Sequence, residues 1–300
     1  MNEIPHDPHL STQPWVAIQR NPRSGSGRRN RELLRLVAGL KRREIRPRLY
    51  SRRIDLDAAV KDPQRRPSLI GIVAAGGDGT LLDVINRHQG VPVAVLPLGT
   101  ENLFARAIGV RGCGDTLAGI IAARKHQRFD VAVCNGRRFL IVASAGFDAE
   151  VVRRAHEKRT GRINHLFYAG PILSAIRSYT FPELRVWLDD AVEPIPGRLV
   201  IVANANAYAM RLSIAPGAVG DDGWLDVCIF QKPGVARVIR DLVAVALRRH
   251  PRLTHVRMNR ARKVRVEGDG SVPVQLDGDA ADGTPIEITI DPAAIDIFVA

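Results

Sequence analysis

Three short segments of the chain carry residue types suited to holding a phosphate. Gly76-Gly77-Asp78-Gly79-Thr80 puts three glycines within four residues, just after an apolar run and just before a helical pattern. Glycine permits positive φ angles and lets the backbone approach a ligand closely. Amide groups at a helix N-terminus hold anionic oxygens well. Asp78 adds a carboxylate that a metal ion or a sugar hydroxyl could use, or that could cap the helix. Two further glycine-bearing polar loops are Asn21-Pro22-Arg23-Ser24-Gly25-Ser26-Gly27 and Leu96-Pro97-Leu98-Gly99-Thr100-Glu101-Asn102. The chain has neither G-x-x-x-x-G-K-[ST] nor G-x-G-x-x-G, which excludes a P-loop and a common dinucleotide fold.

Two acidic segments could do different work. They are Asp221-Asp222-Gly223 and Asp277-Gly278-Asp279. Taken alone, each is better read as an ordinary Asp-Gly turn. The three cysteines, Cys113, Cys134 and Cys228, are far apart, and the eight histidines form no H-E-x-x-H pattern. No disulfide framework or zinc site is indicated.

The elements that must position these loops are readable from periodicity. Trp15–Gln19, Leu69–Ala75 and Val91–Leu96 are buried-looking strands. Leu33, Leu34, Val37 and Leu40 recur at helical spacing, as do Leu81, Leu82, Val84 and Ile85, and then Leu103, Phe104, Ala107 and Ile108. Strand, glycine loop and helix in repetition predict an α/β nucleotide-binding domain with a parallel sheet. In such a sheet, ligands bind at the carboxyl ends of the strands, where all three loops fall. The pattern changes near Phe129. Alternating residues flank Asn135-Gly136, a hairpin signal. Strands are expected at Leu184–Leu188, Leu199–Ala203, Trp224–Phe230, Lys263–Glu267, Val272–Leu276 and Ile286–Ile290, and helices at Asn164–Arg177 and Val235–Arg249. The expectation is a flexible tail over 1–14 and an α/β domain over 15–128. A mostly antiparallel β domain with inserted helices follows over 129–290, and a C-terminal strand over 291–300 returns to the first domain.

Composition bounds the partners. The chain has 300 residues, 45% of them apolar, and a formal net charge of +13. Such a charge favours polyanions, namely nucleotide phosphates or an anionic membrane surface. No basic face interleaved with aromatics is evident, so nucleic acid is not expected. No apolar run approaches the ~20 residues of a membrane span. The polar start lacks an apolar signal core, and a cytoplasmic protein that meets membranes peripherally is expected.

Taken in order, the loops resemble those of the diacylglycerol kinase catalytic-domain family, which includes bacterial lipid kinases and sphingosine kinases. The resemblance runs from about Trp15 to the C-terminus. It recurs at Ser144-Ala145-Gly146-Phe147-Asp148, at Ala215-Pro216, at Asp221-Asp222-Gly223-Trp224-Leu225-Asp226-Val227 and at Leu276-Asp277-Gly278-Asp279. It implies phosphorylation of a lipid alcohol by ATP and Mg²⁺, with homodimerisation one option. The implied nucleotide residues are Asn21, Pro22, Arg23, Ser24, Gly25, Ser51, Gly76, Gly77, Asp78, Gly79, Thr80, Leu81, Leu82, Thr100 and Asn102. A structural Mg²⁺ would be held by Asp222 with the carbonyls of Val219 and Trp224. The general base would be Asp279, with Asp277 as the alternative. This chain departs from the family in having Leu82 where Asn is frequent, Leu103 where bacterial members often have Asp, and Asp279 where Glu is usual. A NAD kinase, which also carries Gly-Gly-Asp-Gly, and a non-catalytic nucleotide-binding regulator are the alternatives.

Overall fold

A computed structural model of the chain describes residues 13–21, 27–157, 169–208 and 212–300. The chain divides into two compact units, the first made of residues up to 105, 109–128 and 295–300, the second of 106–108 and 129–294.

The first unit alternates strands and helices: β1 (Trp15–Arg20), α1 (Gly27–Lys41), β2 (Arg46–Tyr50), α2 (Arg53–Lys61), β3 (Leu69–Gly76), α3 (Asp78–Arg87), β4 (Val93–Pro97), α4 (Leu103–Ala107) and α5 (Gly114–Ala122). β2, β1, β3 and β4 pair in that order, all in parallel. β3 is buried from Ile70 to Gly76 without alternation, as expected of a strand covered on both faces. Val16, Ile18, Val73, Ala94 and Leu96 meet Leu33, Leu36 and Leu40 of α1 and Leu117 and Ile121 of α5 in one core. β1, β3 and β4 are therefore neighbours, and their carboxyl ends lie side by side.

The second unit is built mainly from β5 (His126–Cys134), β6 (Arg137–Phe139), β7 (Val142–Gly146), α6 (Phe147–Glu157), α7 (Ala169–Ser178), β8 (Leu184–Leu188), β9 (Ile195–Gly197), β10 (Leu199–Ala203), β11 (Leu225–Phe230), α8 (Val235–Ala246), β12 (Val256–Ala261), β13 (Lys263–Gly268), β14 (Val274–Leu276), β15 (Asp279–Ala281) and β16 (Ile286–Phe298). One antiparallel sheet runs β12-β11-β10-β7-β14-β15; another ladder joins β16, β13, β8 and β9. Strict alternation in β13, with Val264 and Val266 in and Lys263 and Arg265 out, feeds a core with Val186, Val202, Val227 and Ile288. The α/β unit with a parallel sheet and the antiparallel β unit with inserted helices are the fold class expected from the sequence. The end of β16 returns to the first unit, where Ile297 pairs in parallel with Val93.

Candidate functional site

In the first unit, the end of β3 and the loop after β4 lie against each other. Leu98 and Gly99 amides both donate to the Gly76 carbonyl, at 2.8 and 3.1 Å. A Cβ on Gly99 would stand 2.5 Å from the Gly77 Cα, and one on Gly76 would stand 2.2 Å from Thr80 Oγ1. Those two glycines are required by packing. Gly79 differs: a Cβ there would meet nothing within 4 Å, so its backbone borders open space at the start of α3. None of Gly76, Gly77 and Gly79 takes a positive φ. Close approach, rather than left-handed backbone, is what these glycines supply.

The polar side chains of the two loops shape the backbone. Asp78 reaches a neighbouring helix. Its Oδ2 accepts from the Leu103 amide at 2.9 Å and its Oδ1 from the Phe104 amide at 3.0 Å, closing the N-terminus of α4. Asn102, at φ +50°, accepts from the Gly99 amide at 2.8 Å and donates to the Gly99 carbonyl at 2.9 Å. Asn21 follows β1; its amide donates to the Ala75 carbonyl at 3.3 Å and its Nδ2 reaches Thr80 Oγ1 at 3.5 Å. Three strand ends thus bring Asn21, Gly76–Thr80 and Gly99–Asn102 together. Thr100 is exposed in the same loop, Leu81 is buried and Leu82 partly so, while Ser51 lies exposed at the end of the neighbouring β2. Pro22, Arg23, Ser24 and Gly25 lie outside the described residues.

In the second unit, Asp277 and Asp279 differ sharply. Asp277 and Gly278, at φ +50° and +85°, form the turn between β14 and β15. The Asp277 carboxylate accepts from the amides of Leu140, Ile141 and Val142 at 2.7, 2.9 and 2.9 Å, and its own amide donates to the Val142 carbonyl. It clamps the turn to the start of β7. The Asp279 side chain is 57% exposed, with His156 Nε2 at 3.6 Å from Oδ1. Neighbours absent from the sequence reading support this turn: Gln275 Oε1 accepts from the Gly278 amide at 2.7 Å, and His156 meets the Gly278 carbonyl at 3.1 Å. Gln275 in turn donates to Ser144 and to Asp148, which also accepts from Ser144 and Tyr208. Only the Ser144–Asp148 motif signalled this cluster.

Among the described residues no three or more His, Cys, Asp or Glu side chains gather as a metal site. At the Asp-Asp-Gly loop, Asp222 Oδ1 accepts from the Trp224 amide at 3.0 Å and its Oδ2 pairs with Arg260. Asp130 fixes the same loop by accepting from the Gly223 amide at 2.7 Å. Asp226 is buried, and its Oδ2 has no hydrogen-bond partner; Arg260 Nε stands 3.8 Å away. Burial raises the Asp226 carboxyl above its usual range, Arg260 opposes the rise, and Asp222 adds to it. An orphaned carboxylate oxygen beside a second carboxylate suits a hard cation, so the donor chemistry fits the Mg²⁺ that the resemblance implies.

Comparison with known proteins is consistent with this geometry. Residues 16–134 match the family model described as the diacylglycerol kinase catalytic domain, and residues 141–299 match the YegS C-terminal NAD kinase beta sandwich-like domain. A diacylglycerol kinase of Mycobacterium tuberculosis is 30% identical over 238 residues, which cover 76% of each chain. A diacylglycerol kinase of Bacillus subtilis is 28% identical over 218 residues, 69% of this chain and 70% of that one. An uncharacterized protein of Synechocystis is 25% identical over 242 residues; the match takes in 76% of this chain and only 54% of that longer protein. The crystal structure of a diacylglycerol kinase from Bacillus anthracis shares the fold with a TM-score of 0.72, at 23% identity, covering 96% of this chain and 97% of that one.

Proposed function

We propose that this chain, which belongs to the diacylglycerol kinase catalytic-domain family, transfers the γ-phosphate of MgATP to the hydroxyl of diacylglycerol or a related lipid alcohol. The observation that carries this reading is the convergence of Asn21, Gly76–Thr80 and Gly99–Asn102 at three adjacent parallel-strand ends, with open space beside Gly79. Phosphoryl transfer depends on positioning and on electrostatic stabilisation of the moving group. Backbone amides at the start of α3 provide fixed donors for phosphate oxygens. Asp78 and Asn102 hold those amides in place through α4 and the Gly99 turn. Ser51, Leu81, Leu82, Thr100 and the segment from Pro22 to Gly25 complete the proposed nucleotide contacts.

The acceptor oxygen forms its bond to phosphorus as the bond to the departing ADP breaks, and its proton must go to a base. Asp279 takes that role in our reading, because its carboxylate is accessible, whereas the Asp277 carboxylate already accepts three amide hydrogens. Mg²⁺, when bound, neutralises phosphate oxygen charge and orders the Asp-Asp-Gly loop. Asp222 and the carbonyls of Val219 and Trp224 would hold the ordering ion. Cytoplasmic action at an anionic membrane surface belongs to the same reading; no helix among the described residues is long and apolar enough to cross a membrane.

The C-terminal match to a NAD kinase-like sandwich gives one specific rival. Incubation with γ-labelled ATP and a panel of lipid alcohols, with NAD in parallel, separates the two. Label is expected in organic-extractable lipid phosphate. Label in the dinucleotide would replace lipid kinase with NAD kinase, and ATP binding without transfer to any acceptor would favour a regulatory protein.

A further inference from the structure

Helix α8 has two apolar faces, and only one of them is covered. Its inner side is accounted for: Val235 and Val238 pack on the cluster of Phe147, Val151, Ala175 and Phe181, while Ala244 and Val245 are buried. Asp241, also buried, is hydrogen-bonded to His255 at 2.9 Å. A surface helix with that inner face should be polar on the other side. Instead Ile239, Leu242, Val243 and Leu247 point outward, with exposures of 52%, 40%, 54% and 59%. Their spacing places them on one stripe along the helix. They are four of the nine exposed large apolar side chains among the described residues.

The charge along this stretch of the chain has one sign. Lys232, Arg240, Arg248, Arg249, Arg252 and Arg257 are all exposed, and the only acid from 232 to 257 is the buried Asp241. A second copy of the chain docked on this stripe would bring like charges together. A bilayer with anionic headgroups matches both features at once: apolar side chains enter the headgroup–acyl boundary while arginines meet lipid phosphates. We propose that α8, with the basic segment that follows it, is an interfacial membrane-docking element that recognises anionic lipid surfaces. The proposal deepens the peripheral membrane association read above and rests on it, but it requires no nucleotide and no phosphoryl transfer.

The test uses the full chain without ATP, and vesicles of phosphatidylcholine with or without phosphatidylglycerol. Co-sedimentation is expected with the anionic vesicles and to weaken with salt. I239D/V243D changes two exposed positions and should lower vesicle partitioning by more than about 10-fold with an unchanged melting temperature. R248Q/R249Q should lower it by about 30-fold at low salt. V243W supplies a reading that does not depend on loss: its emission should shift to the blue on anionic vesicles and be quenched by brominated acyl chains. Binding that survives I239D/V243D, or a tryptophan at 243 that stays in water while the protein binds, would overturn the proposal. So would dissociation of a dimer by I239D/V243D with vesicle binding unchanged, which would assign the stripe to a second copy. Lipid phosphorylation in detergent micelles, measured alongside, reports on the kinase reading separately: its absence together with intact α8-dependent docking would sink the enzyme assignment alone.

Discussion

The glycine loops of the first unit and the Asp-Gly-Asp turn of the second use their conspicuous residues in opposite ways. At Gly76–Thr80 and Gly99–Asn102 the acid and the amide serve the loops themselves: Asp78 closes α4 and Asn102 closes the Gly99 turn, so the proposed phosphate contacts fall to the backbone. At 277–279 the division runs between two carboxylates of the same type, one satisfied by three amides and one exposed. A motif residue is therefore not a reactive residue by virtue of its motif. Its hydrogen-bond partners decide which role it takes.

That contrast can be broken by substitution, and the largest effect belongs to Asp277. Asp277→Ala strips the acceptor from three amides at the head of β7, so unfolding free energy should drop by about 3–5 kcal/mol, read by urea denaturation. A loss under 1 kcal/mol would mean that the clamp is dispensable. Gly99→Ala comes next: with the Gly77 Cα 2.5 Å from the new methyl, the loops must part, at a cost of about 1–3 kcal/mol. Gly79→Ala is its counterpart. The methyl meets no protein atom, and a helical alanine should raise stability by about 0.5–1 kcal/mol. If phosphate oxygens occupy that open space, the same variant should weaken ATP binding in calorimetry; unchanged affinity would move the phosphates elsewhere.

The smallest effect concerns pH. His88 is buried, and burial lowers its pKa, with Arg87 acting in the same direction and Asp57 and Asp83 opposing. Its Nε2 lies 3.1 Å from Asp57 Oδ1, yet the angle does not make a hydrogen bond. Because the folded pKa is depressed, the unfolded chain takes up the proton first. The contribution of neutral His88 is complete above about pH 6.5 and is lost as pH falls below it. A His88→Gln variant should show a flatter decline of melting temperature between about pH 6.5 and 5; an identical slope would remove His88 from the acid response.

Much of the scaffold was legible because it depends on local periodicity. Leu184–Leu188 and Leu199–Ala203 coincide with β8 and β10, and the Asn135-Gly136 turn has positive φ at both residues. α2, α5 and α6 carry no such signal; Arg53–Lys61, for instance, buries only Leu56, Ala59 and Val60 and shows no long apolar stripe. The first part of the helix expected over Asn164–Arg177 lies outside the described residues; α7 covers its end. β16 continues through Pro292 and through Ala293 at φ +52°, where alternation fails and the sequence predicts two separate strands. The site was legible in composition and not in connection. Asp78 meets α4 across 25 residues and Asp277 meets β7 across 135 or more, distances that no local pattern encodes.

The most direct measurement follows transfer of label from γ-labelled ATP into extractable lipid phosphate by the wild-type chain and by Asp279→Asn, with melting temperatures recorded on the same samples. Asp279 is exposed, so the substitution should leave stability within about 0.5 kcal/mol. Removing a general base should slow transfer by about 10²–10⁴-fold while ATP binding persists. Rapid lipid labelling by the wild type and near silence from an equally stable Asp279→Asn is the predicted result. Equal labelling by both proteins would contradict the assignment of the base, and no labelling by either would contradict the lipid kinase itself.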